Sequence, residues 1–146
     1  MLDKIQKLRE ITGAGVLECK KAMDDAGGDL DRAVALIHER GYARAEKRKE
    51  RTTGAGLLHA FVHNERVGVL IELRAETDFV ARSKDFRELA HNLAMQIAAM
   101  NPDNVDELTD QVYIKDEALK AGDLIKQAIA KLGENIRVER FCRYEI

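Results

Sequence analysis

The sequence predicts an α+β protein: an N-terminal bundle of three short helices, a charged linker, and a core in which a small antiparallel sheet of about three strands packs with helices. Three observations carry this reading. Apolar residues keep helical spacing from Leu2 to Ile37, alternate as in strands from Leu57 to Leu73, and return to helical spacing from Phe86 to Ala98. A chain of 146 residues is long enough for one domain with a good core, or for a small domain beside a medium one.

The predicted N-terminal unit covers residues 1–41. Leu2, Ile5, Leu8 and Ile11 share one helical face, Val16, Cys19, Met23 and Ala26 a second, and Leu30, Ala33, Val34 and Ile37 a third. Thr12-Gly13-Ala14-Gly15 separates the first two helices. Gly27-Gly28 ends the second, Asp29 is placed to cap the third, and Gly41 follows it. Three helices of this length close only a small core, which suits a docking module better than a catalytic one. Residues 42–55 read as the linker. From Arg44 to Arg51 five Lys and Arg residues stand among two Glu with no apolar face to bury, the pattern of a solvated spacer. Without an interleaved aromatic to stack on bases, the run argues weakly for RNA.

Residues 56–146 are expected to form the core. Thr53-Gly54-Ala55-Gly56 repeats the earlier tetrapeptide, and neither copy is followed by the Gly-Lys-Ser/Thr of a phosphate-binding loop, so both are read as turns. Leu57–His63 and Val67–Leu73 form a predicted hairpin around Asn64-Glu65-Arg66. Apolar residues on both faces of the first strand suggest a sheet covered on both sides. Ser83 is placed to cap a long helix from Lys84 to Met100, ended by Asn101-Pro102, while residues 103–122 are acidic and poorly patterned. A further helix carries Leu124, Ile125, Ala128, Ile129 and Leu132 inward and stops at Gly133. In the last strand Ile136, Val138, Cys142, Tyr144 and Ile146 share a face by alternation, yet Arg140 falls on it and Phe141 on the other. A bulge, or burial on both sides, would account for that. So small a sheet leaves apolar surface and an open edge for a second copy of the chain to cover.

Composition sets limits on the chemistry. With 24 basic and 26 acidic residues the net charge is −2, which gives no global attraction to nucleic acid or anionic membranes. The charged N-terminus does not resemble a signal peptide and no window suits a bilayer span, so the chain is expected in the cytoplasm. Cys19 and Cys142 make neither a disulfide framework nor a ligand motif and are expected as reduced thiols. His59 and His63 lie about 13 Å apart on a strand, too far to share an ion bound at about 2 Å. No Gly-x-Ser-x-Gly is present, and no catalytic residue, metal or cofactor is expected.

What remains is Glu76-Thr77-Asp78-Phe79-Val80-Ala81-Arg82, where the strand pattern stops and the long helix begins. It is predicted to be a surface loop, with Thr and Asp able to brace a tight turn. Phe79 belongs to no periodic face. It fits either a wedge for a partner or a residue packed under the first turn of the following helix.

Four ordered motifs then show a resemblance. Thr12-Gly13-Ala14-Gly15 with Cys19-Lys20-Lys21-Ala22, Glu76-Thr77-Asp78-Phe79-Val80-Ala81, Gly133-Glu134-Asn135-Ile136 and Arg140-Phe141-Cys142-Arg143 make the chain similar, nearly end to end, to the elongation factor Ts family. That resemblance implies a guanine-nucleotide exchange factor for elongation factor Tu (EF-Tu), with an N-terminal module like ubiquitin-associated (UBA) domains. Thr77, Asp78, Phe79 and Val80 correspond to the loop whose phenylalanine wedges into the GTPase domain of EF-Tu, displaces a helix and dislodges Mg2+. Docking of the N-terminal module would use Arg9, Gly13, Ala14, Gly15, Val16 and Leu17, with Val16 and Leu17 where other members carry Met-Met.

Many members have a further subdomain and a helical hairpin before the last strand, a place filled here by 101–123 alone. Short members pair two chains. A homodimer is therefore expected, with Phe141, Cys142 and Tyr144 at its interface, EF-Tu as partner, and no nucleic acid, membrane or nucleotide bound by the chain itself. A different class of reading keeps the UBA-like bundle as a protein-interaction module beside a passive dimerising core. It gives no reason for an exposed Phe79.

Overall fold

In a computed structural model that describes residues 1–146, the periodicities resolve into seven helices and five strands. The order is α1 (Leu2–Thr12), α2 (Val16–Asp25), α3 (Leu30–Arg48), β1 (Ala55–His63), β2 (Val67–Ala75), α4 (Asp78–Ala81), α5 (Lys84–Met100), α6 (Val105–Asp110), β3 (Val112–Tyr113), β4 (Asp116–Lys120), α7 (Ala121–Leu132) and β5 (Ile136–Glu145). No helix is long and apolar enough to cross a membrane.

The three N-terminal stripes meet through their middles, burying Ile5, Leu8, Cys19, Met23, Ala33 and Ile37 in one cluster, while Leu2, Ile11 and Val16 at the stripe ends stay exposed. Gly13 ends α1 in the left-handed region at φ 69, which an L side chain rarely adopts, and donates its N–H to Arg9 O at 2.7 Å. The Asp29 carboxylate caps α3 by accepting the Arg32 N–H at 3.0 Å.

The third helix departs from expectation. It does not stop near Gly41 but runs on through half of the charged stretch to Arg48. Gly41 and Ala45, four residues apart, give it a narrow face of small residues that lies on α7. Ala45 is 3% exposed and joins the main core, and a Cβ at Gly41 would stand 2.9 Å from the Ala130 Cβ. Arg48 Nη1 donates to Ile129 O at 3.3 Å. Read from its sequence, the run has no apolar face. Two small residues suffice here because close helix approach needs the absence of side chains more than the presence of large ones.

The main sheet has the order β1-β2-β5, antiparallel throughout. Val69, Ile71 and Leu73 of the central strand bury against Phe86, Leu93 and Ile97 of α5, with Ile125 and Ile129 of α7 in the same core. The irregularity in β5 is a bulge: Glu72 pairs with Arg140 and Leu73 with Val138, leaving Glu139 extra. The bulge shifts the alternation by one residue. Ile136 and Val138 before it and Phe141 after it face the helices, while Arg140, Cys142 and Tyr144 face away. Ile136 and Val138 therefore do not share the face of Cys142 and Tyr144.

The expectation of a sheet covered on both sides also fails. Within one chain the helices cover one face only, and Leu58, Val62, Leu70 and Tyr144 stand 63%, 65%, 41% and 77% exposed on the other. The poorly patterned stretch after α5 becomes α6 and the β3-β4 hairpin. It is held less by an apolar stripe than by one buried amide: Gln96 donates to Val112 O at 3.0 Å and accepts the Ile114 N–H at 2.9 Å.

Spacing along the strand keeps His59 and His63 apart, and His59 instead meets a histidine of α5. His59 Nε2 and His91 Nδ1 lie 3.2 Å apart across the sheet–helix interface. Burial, and secondarily the neighbouring charge of His91, hold the His59 pKa below the ordinary imidazole value.

Two outcomes test this packing. Gly41→Ala adds about 1 kcal/mol of helix propensity but overpacks the α3–α7 contact by about 1–3 kcal/mol. Urea unfolding should show no gain, whereas a gain near the full propensity term would mean that α3 does not lie on α7. For His59, protonation is disfavoured in the folded chain, so its contribution to stability is present above the unfolded pKa of about 6.5 and is lost as pH falls through the lower folded value. Thermal melts between pH 7.5 and 5.5 should show a steeper loss for the parent than for His59→Gln. Parallel curves would remove the pair from the account.

Candidate functional site

The segment joining β2 to α5 is tethered at both ends by buried structure and exposed in the middle. Where a loop is expected, the chain makes one helical turn, α4, because Thr77 supplies an N-cap: its Oγ1 accepts the Val80 N–H at 3.3 Å. At the other end Ser83 Oγ donates to Val80 O at 2.7 Å and accepts the Phe86 N–H at 3.3 Å, starting α5. Val80 and Ala81 point into the core. Helical phase then turns Asp78 and Phe79 outward. Phe79 is 87% exposed, more than any other large apolar residue of the chain. Packing under the following helix is excluded. A phenylalanine left in water forgoes on the order of 1.5–3 kcal/mol that burial would supply.

Thr77 has a further partner that sequence spacing did not reveal. Its N–H and its hydroxyl donate to the two carboxylate oxygens of Glu134, at 3.0 and 2.7 Å. Glu134 follows Gly133, which stops α7 at φ 76, and precedes Asn135, whose Nδ2 donates to Lys49 O and Arg51 O at 3.1 and 2.9 Å. Fifty-seven positions separate Thr77 from Glu134. The one signal in the sequence was Gly133-Glu134-Asn135 itself, a motif with no role attached.

The N-terminal candidates form a second exposed group. The Thr12 hydroxyl donates to Leu8 O at 2.7 Å and accepts the Ala14 N–H at 3.3 Å, which fixes the Thr-Gly-Ala-Gly turn. Beyond it Val16 and Leu17 are exposed at the start of α2, and Arg9 is exposed with no ion pair. Ala14 instead tucks against the bundle's own core. The turn borders a cleft of about 430 Å³ between bundle and core, facing Asp85, Leu89, Leu124 and Lys131. The cleft also reaches the helix that α4 leads into, since Asp85 sits in the first turn of α5.

The three residues expected at a dimer interface are not all brought together. Cys142 and Tyr144 are on the bare face of the sheet, whereas Phe141 is half-buried on the helix side. The bulge at Glu139 sets that phase.

A family profile described as Elongation factor TS matches residues 76–146, starting at the segment that carries Phe79. Curated relatives named elongation factor Ts from Thermotoga petrophila and Thermotoga maritima are each 44% identical over 189 aligned positions, covering 99% of this chain and 95% of theirs. One of the same name from Coprothermobacter proteolyticus is 38% identical over 188 positions, covering 97% of this chain and 95% of its own. The alignment with the T. petrophila relative is longer than this chain, so at least 189 − 146 = 43 of its positions hold residues of the relative alone.

Proposed function

Because the chain belongs to the elongation factor Ts family, we propose that it is a guanine-nucleotide exchange factor that binds EF-Tu·GDP and speeds release of GDP with Phe79 as an apolar wedge. The observation that carries this reading is the exposure of Phe79 on a turn whose next two residues are buried and whose cap is bonded to Glu134. A passive dimerising core would leave that side chain without a use.

In this reading the N-terminal module docks first, through Arg9, the turn Gly13-Ala14-Gly15, Val16 and Leu17. The two exposed apolar side chains at the start of α2 supply contact area, and the braced turn supplies a surface that costs little to order. Phe79 then enters the GTPase domain, with Thr77 and Val80 holding the turn and Asp78 offering a free acceptor to groups it meets there. The Mg2+ that is dislodged belongs to EF-Tu, where it neutralises the phosphates, so its loss weakens the hold on GDP. No covalent bond is made or broken by this chain. By linkage, a factor that binds the nucleotide-free GTPase more tightly than the GDP form must lower GDP affinity by the same ratio.

The same reading includes a homodimer built on the bare sheet face. Leu58, Val62, Leu70, Cys142 and Tyr144 present apolar surface there beside Glu72, Arg74 and Arg140, and the relatives carry at least 43 residues (189 − 146) that this chain lacks. A second copy offers a like apolar face, with acidic and basic groups able to pair across a two-fold axis.

Release of labelled GDP from EF-Tu tests the wedge. The parent should accelerate release, and Phe79→Ala should slow it roughly 10- to 100-fold, the equivalent of one buried phenyl group, while weakening docking far less. Equal losses in rate and docking would make Phe79 an anchor only. Sedimentation equilibrium tests the pairing: a dimer is expected for the parent and a monomer for Val62→Asp. A monomeric parent at tens of micromolar would end the dimer proposal.

A further inference from the structure

We propose that Glu134 is the positioning residue of the exchange segment: its carboxylate holds Thr77 so that the turn carrying Phe79 is formed before the partner arrives. This rests on the exchange reading above and extends it to a residue outside the segment itself.

The argument begins with the length of α4. Four residues make a single helical turn, and a single turn is unfavourable on its own because nucleation fixes several dihedrals for one hydrogen bond. Something outside the turn must hold it. Its core contacts, Val80 and Ala81, anchor the C-terminal half. At the N-terminal half the only hydrogen bonds from another part of the chain are those from Thr77 to Glu134.

Their geometry is specific. A carboxylate has two acceptor oxygens, and here each takes one donor of the same residue, so peptide plane and χ1 of Thr77 are set together. The Thr77 hydroxyl has one proton, and that proton goes to Glu134. Its lone pairs are left to accept the Val80 N–H, the bond that caps the turn. The bond to Glu134 thus orients the cap, and the cap fixes the turn on which Phe79 is displayed.

Glu134 is itself held. Gly133 before it takes the left-handed conformation, and Asn135 after it, 3% exposed, bonds the backbone at Lys49 and Arg51. Arg51 also lies 3.8 Å from Glu76, next to Thr77. Yet Glu134 contributes nothing to the apolar core. It is half-exposed, and its bonds go to an exposed residue. A carboxylate so placed matters for the geometry of the turn more than for burial.

Two readouts test this on the full chain. In GDP release from EF-Tu at saturating factor, Glu134→Ala should lower the maximal rate about 10-fold, the loss of roughly one hydrogen bond to a charged group, and leave the half-saturating concentration unchanged. Glu134→Gln should recover part of the rate, because one amide oxygen still accepts from Thr77. On a Phe79→Ala background Glu134→Ala should add no further loss. A full additional 10-fold loss there would overturn the proposal. Amide hydrogen exchange gives the second readout, free of activity. In Glu134→Ala protection of the Val80 amide should fall while that of Leu93 and Ile97 in α5 holds. Unchanged protection at Val80 sinks the positioning role alone, whereas a parent that does not speed GDP release sinks the exchange reading alone.

Discussion

The packing of α5 on β2 is the contact from which the rest of the core takes its geometry. Val69, Ile71 and Leu73 lie against Phe86, Leu93 and Ile97, all buried. Once strand and helix are locked together, the residues between Ala75 and Lys84 must bridge two fixed ends. Val80 and Ala81 close that bridge from inside, and a single helical turn leaves the adjacent Phe79 no inward direction. The exposed aromatic is a consequence of buried neighbours, not of a flexible loop.

A second constraint joins the N-terminal bundle to this core. The third helix does not end where its large apolar residues end, because Gly41 and Ala45 allow it to lie on α7. Its C-terminus then reaches the turn at Gly133, where Asn135 receives the chain at Lys49 and Arg51 and Glu134 receives Thr77. One three-residue turn therefore meets both the exit of the bundle and the segment that carries Phe79. Bundle and Phe79 segment are referenced to the same point.

The bare sheet face follows from the same arrangement. α5 and α7 both use the face that Ile136, Val138 and Phe141 join, and the bulge at Glu139 brings Phe141 onto that face after Val138. Alternation read without the bulge puts Ile136 and Val138 with Cys142 and Tyr144. With it, Cys142 and Tyr144 remain with Leu58, Val62 and Leu70 on the side no helix reaches. The two-sided apolar content of β1, which suggested a covered sheet, describes a strand whose outer face the chain alone leaves uncovered.

By itself the sequence determined the helices and strands with strong periodicity, the caps at Asp29 and Ser83, the glycine stops at Gly13 and Gly133, and the position of Thr77 to Val80 between strand and helix. Those features depend on neighbours a few residues away, where spacing and backbone preference act directly. The tertiary structure alone decided that the charged run has a buried face, that Gln96 holds the β3-β4 hairpin, that His59 meets His91, and that Glu134 braces Thr77. Each is a contact between residues distant in the chain, made by small or polar groups that leave no periodic trace. Their partners are set only when the apolar faces have packed and brought separate backbones within hydrogen-bond reach.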